Sequence, residues 1–107
     1  MHPYDPLRFH GRIVWLTAEQ GGRQTGPPVP PSDRDYAATG FVPPLTLETG
    51  LASLVVRASE PAAYLSPADA GWLVGDNRYP HEVIAGDLIV VTEGRKIVGY
   101  FHVDSVS

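Results

Sequence analysis

The chain has 107 residues, a net charge of −4 at neutral pH and no cysteine, which together indicate one domain without disulfide bonds or thiolate metal sites. Its few cations are scattered along the chain, so the composition lacks the basic patch that is typical of nucleic-acid-binding proteins. The 11 glycines and 11 prolines disfavour long helices and favour short strands joined by tight turns.

The first predicted strand runs from Phe9 to Thr17 and follows a polar arm that prolines interrupt. Within it, Ile13 and Trp15 fall on one face, whereas Val14 and Leu16 fall on the other. A strand that is apolar on both faces lies between two layers or at the seam of a barrel.

A glycine-rich loop and a proline-rich stretch come next. Gly21 and Gly22 predict a turn, and residues 26–31 include prolines at four positions. Because proline has no backbone N–H group, this stretch cannot form a central strand. We expect it to cross the surface as a stiff polyproline segment.

The rest of the chain predicts further strands separated by turn signals, with a tight hairpin at Glu93-Gly94-Arg95. Strands at this spacing predict an all-β fold. Closure of the sheet into a barrel is favoured because it removes exposed strand edges. We expect a small closed antiparallel β-barrel of about six strands, with a short helical insertion, as a single domain over residues 1–107. The clearest of the later strands are Asp35–Val42, Leu51–Ala58, Gly86–Thr92 and Lys96–Val106.

The expected helix lies at residues 65–73, inside a segment, 62–85, that is interpreted as an insertion. Ser66 suits an N-cap, Pro67 suits the first helical position and Asp69 suits the third, as in a capping box. The pattern therefore predicts about two helical turns within the insertion.

Catalytic and metal-binding patterns are weak in this sequence. His102 and Asp104 share a face of the last strand, but no strained nucleophile turn accompanies them, so a solvated outer face is the favoured interpretation. None of the four histidines stands at metal-ligand spacing. We expect no enzymatic activity, no metal and no cofactor.

Several motifs follow one another in a fixed order. They are Arg8-Phe9 at the start of the first strand, Glu19–Thr25 with its Gly-Gly-Arg-x-Thr loop, Arg34–Gly40, Leu45–Pro61, and Gly86–Gly99 with its Glu-Gly-Arg turn. In this order they resemble the third, C-terminal β-barrel domain of elongation factor Tu, here as a stand-alone homologue. The chain carries no Gly-x-x-x-x-Gly-Lys-Ser/Thr loop, so the nucleotide hydrolysis of that family is not expected.

The resemblance also implies where partners bind, because the family's barrel contacts the T-stem backbone of aminoacyl-tRNA, its own GTPase domain and its exchange factor. In this chain the side chains of Arg23, Gln24 and Thr25 can hydrogen-bond phosphate or 2′-hydroxyl groups. Alternatively, Arg23 braces its own loop against Asp33 or Asp35. The candidate RNA- or partner-binding residues are Arg23, Gln24, Thr25, Arg34 and Tyr36.

The insertion supplies a second candidate surface, since aromatic and arginine side chains are enriched at interface hot spots. Alternatively, Trp72 and Leu73 close one end of the barrel as core residues. The candidate interface residues are Trp72, Arg78, Tyr79 and His81.

The sequence thus predicts a non-catalytic binding module that engages a protein partner. The alternative is binding of tRNA or another structured RNA through Arg23 and Arg34, in a translation-related role. The first residues do not resemble a signal peptide, and no stretch approaches the ~20 apolar residues that span a bilayer. A cytoplasmic protein that does not contact membranes is therefore expected.

Overall fold

A computed structural model describes residues 7–31, 34–73 and 82–107 of the chain. Within these residues the secondary structure consists of strands and turns, so no helix is present that is long and apolar enough to cross a membrane. The strands are β1 (Phe9–Trp15), β2 (Tyr36–Phe41), β3 (Ala52–Ala58), β4 (Leu65–Trp72), β5 (Leu88–Glu93) and β6 (Lys96–Val106).

The six strands form a closed barrel in the order β1-β4-β3-β2-β5-β6, and β6 pairs back onto β1. Every neighbouring pair is antiparallel. The predicted closed antiparallel barrel of about six strands is therefore confirmed. Closure leaves no strand with a free row of backbone donors and acceptors along the sheet.

Inward-pointing side chains fill the barrel. In β1 the residues Phe9, Ile13 and Trp15 are all buried, as their alternation predicted. The opposite wall contributes β-branched and aromatic side chains at alternate positions, which is the pattern of strands with one face on a core. The fully buried core side chains include Ile13, Leu54, Val56, Ile89, Val91, Val98 and Phe101.

The predicted helix at residues 65–73 is wrong, because this segment forms β4 between β1 and β3. Burial alternates along it, with Ser66, Ala68 and Ala70 facing inward. The Ser66 hydroxyl does not cap a helix but accepts a hydrogen bond from the Glu60 N–H at 2.9 Å. It therefore stabilises the turn that enters the strand. Small side chains with a period of two outweighed the local capping pattern.

Residues 65–72 are consequently part of the barrel wall and not an insertion, since the ring would be open without β4. Pro67 is accommodated because the residue lies at the edge of a ladder. Its carbonyl oxygen accepts a hydrogen bond from the Ser59 N–H at 2.9 Å, one residue beyond the end of β3. The N–H group that proline lacks would point to the same side. The ladder with β3 therefore loses little.

Two glycines shape the barrel, one through its backbone conformation and the other through a close approach. Gly94 has a φ of 63° and occupies the first central position of the β5–β6 turn, as the hairpin signal predicted. Gly11 lies where the β1–β6 register shifts by one residue, and a Cβ atom there would collide with the carbonyl group of His102. The unpaired residue is Asp104 of β6, opposite the step from His10 to Gly11, and a bulge of this kind bends the strand that contains it.

Candidate binding cleft

A cleft of about 210 Å³ opens at the mouth of the barrel. Its apolar part is formed by Trp15, the last residue of β1, Tyr36, the first residue of β2, and Val56 near the end of β3. Because these side chains point inward at strand ends, they form a floor that the following loops surround. The full lining is Trp15, Pro28, Pro30, Pro31, Arg34, Asp35, Tyr36, Val56, Arg57, Ala58 and Pro61.

The two aromatic rings of the floor hold each other in place. Trp15 and Tyr36 pack edge to face, with ring centroids 5.4 Å apart and an angle of 89° between the ring planes. This geometry matches the favourable arrangement of aromatic quadrupoles. Trp15 is buried, so the floor is fixed from below and does not depend on a ligand for its shape.

The wall of the cleft comes from the proline-rich stretch. Pro28 is buried and lines the cleft together with Pro30 and Pro31. Val29, which lies between Pro28 and Pro30, is 66% exposed. A backbone with fixed φ angles at these positions has little freedom to lose when a ligand binds. The prediction that this segment forms no strand is confirmed, and its prolines make a rigid surface.

The rim carries charged side chains in two different states. Arg57 donates two hydrogen bonds to Asp35, from Nε to Oδ1 and from Nη2 to Oδ2, both at 2.8 Å. Asp35 is largely buried by this fork-like contact. Arg34 is exposed, and no carboxylate in residues 7–31, 34–73 and 82–107 forms an ion pair with it. The guanidinium of Arg34 is thus a positive charge beside an apolar floor.

Behind the cleft, the other side of Tyr36 is closed by Arg23 and Glu93. The Tyr36 hydroxyl donates a hydrogen bond to Glu93 Oε2, and the guanidinium of Arg23 lies 5.8 Å from the centre of the Tyr36 ring. Arg23 Nε lies 3.4 Å from the same carboxylate oxygen. Arg23 therefore contacts Glu93. The alternative interpretation named Asp33, which lies outside the described residues, or Asp35, which pairs with Arg57.

The environment of Tyr36 keeps its hydroxyl protonated. Burial raises the pKa of the Tyr36 hydroxyl far above its ordinary value, and the hydrogen bond to Glu93 and the negative charge of Glu93 raise it further. The positive charge of Arg23 acts in the opposite direction but is the smaller effect. Tyr36 is accordingly a hydrogen-bond donor at all physiological pH values.

The structure brings only some of the predicted binding residues together. Arg34 and Tyr36 meet at the cleft, Arg23 lies behind Tyr36, and Gln24 and Thr25 are exposed on the loop that follows. The positions of these residues do not test whether they bind a protein partner or RNA, so both contacts remain predictions.

Trp72, from the second candidate surface, is partly buried and packs edge to face against Phe9 with centroids 5.9 Å apart. This contact fits the alternative in which Trp72 closes the barrel. The other three residues of that surface, Arg78, Tyr79 and His81, lie outside the described residues.

The histidine and aspartate that share a face of β6 make separate contacts. His102 is exposed, and Asp104 forms an ion pair with Arg12 at 3.7 Å. No hydrogen bond between His102 and Asp104 occurs in the described part of the chain. The pair therefore has the character of a solvated outer wall.

A different imidazole connects two strands. His10 Nδ1 lies 2.8 Å from Asp69 Oδ1, and His10 Nε2 lies 2.9 Å from Ser107 Oγ. This order of groups also occurs in serine hydrolases, which add an oxyanion hole and a strained nucleophile turn. Here Ser107 is an exposed residue whose N–H donates to the Arg8 carbonyl oxygen at 2.9 Å. The chain of hydrogen bonds fastens β6 and β4 to the start of β1.

Sequence reasoning missed the floor and the ion pair of the cleft. The alternation of β1 places Trp15 on one face with Ile13, and both are buried, but Trp15 also ends its strand and so reaches the barrel mouth. The end position of an inward aromatic residue was the available signal. The pairing of Asp35 with Arg57 had no signal in the sequence, because 22 residues separate them and only the β2–β3 register brings them together.

Comparison of the chain with known protein families, with curated proteins and with solved structures returned no match. The geometry of the cleft is therefore where a functional proposal begins.

Proposed function

We propose that this chain is a non-catalytic binding module that engages a protein partner through the cleft at the barrel mouth. The observation that carries the proposal is a preformed apolar floor, made by Trp15, Tyr36 and Val56, next to the exposed guanidinium of Arg34. Concave sites with a rigid apolar lining and few polar groups are the usual form of binding sites. Aromatic and arginine side chains are also those that contribute most at protein interfaces.

The size of the cleft favours a side chain of a partner over a free small molecule. Its volume of about 210 Å³ lies below the ~300–1,000 Å³ of typical small-molecule pockets. One apolar side chain presented by another protein would fill it. The closed barrel also leaves no edge to which a partner could add a strand, so recognition has to use side chains.

The resemblance to the C-terminal barrel of elongation factor Tu supports a role of this kind. That domain works by contacting other macromolecules, and we propose that this chain is a stand-alone homologue with a translation-related role in the cytoplasm. RNA binding through Arg23 and Arg34 receives less support. Arg23 is engaged by Glu93 and Arg57 by Asp35, whereas phosphate binding needs several clustered cations.

A crosslinking experiment tests this proposal. A photoreactive amino acid is placed at Val29, which is exposed between two of the prolines that line the cleft. For comparison it is placed at Leu51, which is exposed just before the first residue of β3, away from the cleft. The expected result in cell extract is a discrete crosslinked protein from position 29 that is absent at position 51. An excess of unlabelled wild-type protein should abolish it.

Two results would contradict the proposal. Crosslinks from position 29 that disappear on ribonuclease treatment would show that the face binds RNA. Equal crosslinking from positions 29 and 51, or none from position 29, would show that the cleft is not a protein-binding site.

A further inference from the structure

The cleft continues into a second, more open depression on the outside of the barrel. The two depressions share Arg57 and Ala58 as a common wall. From there the second depression extends over β4, where Pro67 and Asp69 line it. Together they form a groove that leads from the barrel mouth across β3 to β4.

The charges along this groove are ordered. At one end Arg34 is exposed and carries a positive charge. In the middle Asp35 and Arg57 neutralise each other through two hydrogen bonds of 2.8 Å. At the other end Asp69 is half exposed and carries a negative charge. The groove therefore presents a positive charge at one end and a negative charge at the other, with the Asp35–Arg57 ion pair between them.

The negative end is held in position before any ligand arrives. His10 contacts Asp69 Oδ1 at 2.8 Å, and the other nitrogen of the same ring contacts Ser107 Oγ at 2.9 Å. An imidazole that is held on both sides fixes the orientation of the carboxylate. A preorganised carboxylate favours a cationic group of defined position.

The strand register sets the distance between the charged ends. Arg57 on β3 lies directly opposite Asp69 on β4, and Asp35, the chain neighbour of Arg34, reaches Arg57 from the β2 side. Two strand spacings are about 10 Å, which equals about three residues of an extended chain. A peptide that crosses the groove would therefore place oppositely charged side chains three or four residues apart.

From these observations, and resting on the proposed function, we infer that the partner presents an extended segment with a defined order of charges. An apolar side chain enters the cleft, an acidic side chain pairs with Arg34, and a basic side chain three or four residues away pairs with Asp69. Complementary charges at the rim of an interface fix register and reject wrong partners.

The test uses a phage-displayed library of random linear peptides selected on the full chain. We expect enriched sequences with an acidic and a basic residue three or four positions apart and an apolar residue between or beside them. A synthetic peptide of the enriched sequence is then titrated by fluorescence anisotropy. Arg34→Glu should weaken its binding by about tenfold, and exchanging the acidic residue of the peptide for lysine should restore binding to that variant.

The same logic applies at the other end of the groove. Asp69→Lys should weaken the wild-type peptide by a similar factor, and a peptide with glutamate in place of its basic residue should bind this variant better. Asp69→Asn is the milder second variant in case the lysine disturbs the contact with His10, with folding checked by thermal melting. Arg95→Glu, a charge reversal at a residue that pairs with Glu48 elsewhere, is the matched control and should leave binding unchanged.

Two failures are distinguishable. Enriched peptides that bind the cleft without an ordered pair of charges, or that are insensitive to Arg34→Glu and Asp69→Lys, would overturn the inference and leave the proposed function standing. Selection that enriches no peptide at all would contradict both.

Discussion

The two sides of Tyr36 illustrate how the same residue types acquire different roles. On one side Arg23 stacks on the ring and pairs with Glu93, and the Tyr36 hydroxyl donates to the same carboxylate. On the other side the ring forms the floor of an open cleft, and Arg34 is exposed beside it. The first side is a closed polar cluster, whereas the second offers an apolar surface and an exposed charge.

The difference between the sides comes from the neighbours that the barrel register supplies. Glu93 ends β5, which lies next to β2, so its carboxylate reaches the back of Tyr36 and engages Arg23. The proline-rich stretch in front cannot add a strand over the ring, and so a cleft remains. In sequence terms Arg23 and Arg34 are equivalent cations on loops, but only the second faces open space.

The largest expected effect comes from removing the residue that supports both sides. Trp15→Ala deletes the buried ring against which Tyr36 packs, and we expect a loss of about 3–5 kcal/mol in the free energy of unfolding. Urea denaturation monitored by circular dichroism measures it. Val29→Ala, at an exposed position of the proline-rich stretch beside the cleft, should stay within about 0.5 kcal/mol of wild type. A loss below about 1 kcal/mol for Trp15→Ala would show that the two sides are not joined through this ring.

A smaller loss of stability is expected from a substitution that changes only one side of Tyr36. Tyr36→Phe keeps the cleft floor but removes the donor to Glu93, and the loss of this charge-assisted hydrogen bond should cost about 1–2 kcal/mol at neutral pH. The cleft-selected peptide should bind this variant as well as wild type. Weaker peptide binding together with unchanged stability would reverse the assignment of the two sides.

Raising the pH should show how much the Tyr36 hydroxyl contributes to the stability of the wild-type protein. Because the pKa of Tyr36 is raised in the folded state, the unfolded chain loses this proton first as the pH passes the ordinary value of about 10. Stability from this group is therefore complete below about pH 10 and declines above it. The midpoint of urea unfolding between about pH 9 and about pH 11 should fall more steeply for wild type than for Tyr36→Phe. Parallel curves would contradict the raised pKa.

The smallest effects compare the two arginines directly. Arg23→Ala loses the contact with Glu93 and the stacking on Tyr36, but it also removes a buried Nη1 atom that has no hydrogen-bond partner among the described residues. We expect a net loss of about 1 kcal/mol. Arg34→Ala should leave the free energy of unfolding within about 0.5 kcal/mol of wild type. Equal losses in the free energy of unfolding for Arg23→Ala and Arg34→Ala, measured by urea denaturation, would contradict the difference between the two arginines.

Much of the barrel was predictable because its signals are local and periodic. The alternation in β1, the β-branched run of β5 and the Gly94 turn each identify their element without knowledge of the rest. β4 was not predictable in the same way. Its small inward residues, such as Ala68 and Ala70, give little hydrophobic contrast, while Ser66 and Pro67 imitate a helix start. The neighbouring strands decide its conformation.

The cleft was predictable only in part for a similar reason. Arg34 and Tyr36 were selected from the resemblance and do meet at the barrel mouth. The contribution of Trp15 and the pairing of Asp35 with Arg57 depend on contacts across the barrel, which one sequence does not encode in any local pattern. Residues adjacent in the chain were found, and residues joined by register were not.

The contact between Arg8 and Ser107 has a practical consequence for engineering. The Ser107 N–H donates to the Arg8 carbonyl oxygen at 2.9 Å, so polypeptide attached before residue 8 or after residue 107 departs from one place. Trp15 lies about 20 Å away along β1. The barrel can thus be spliced as a cassette into a loop of a host scaffold, or tethered to a sensor surface, with the cleft pointing outward.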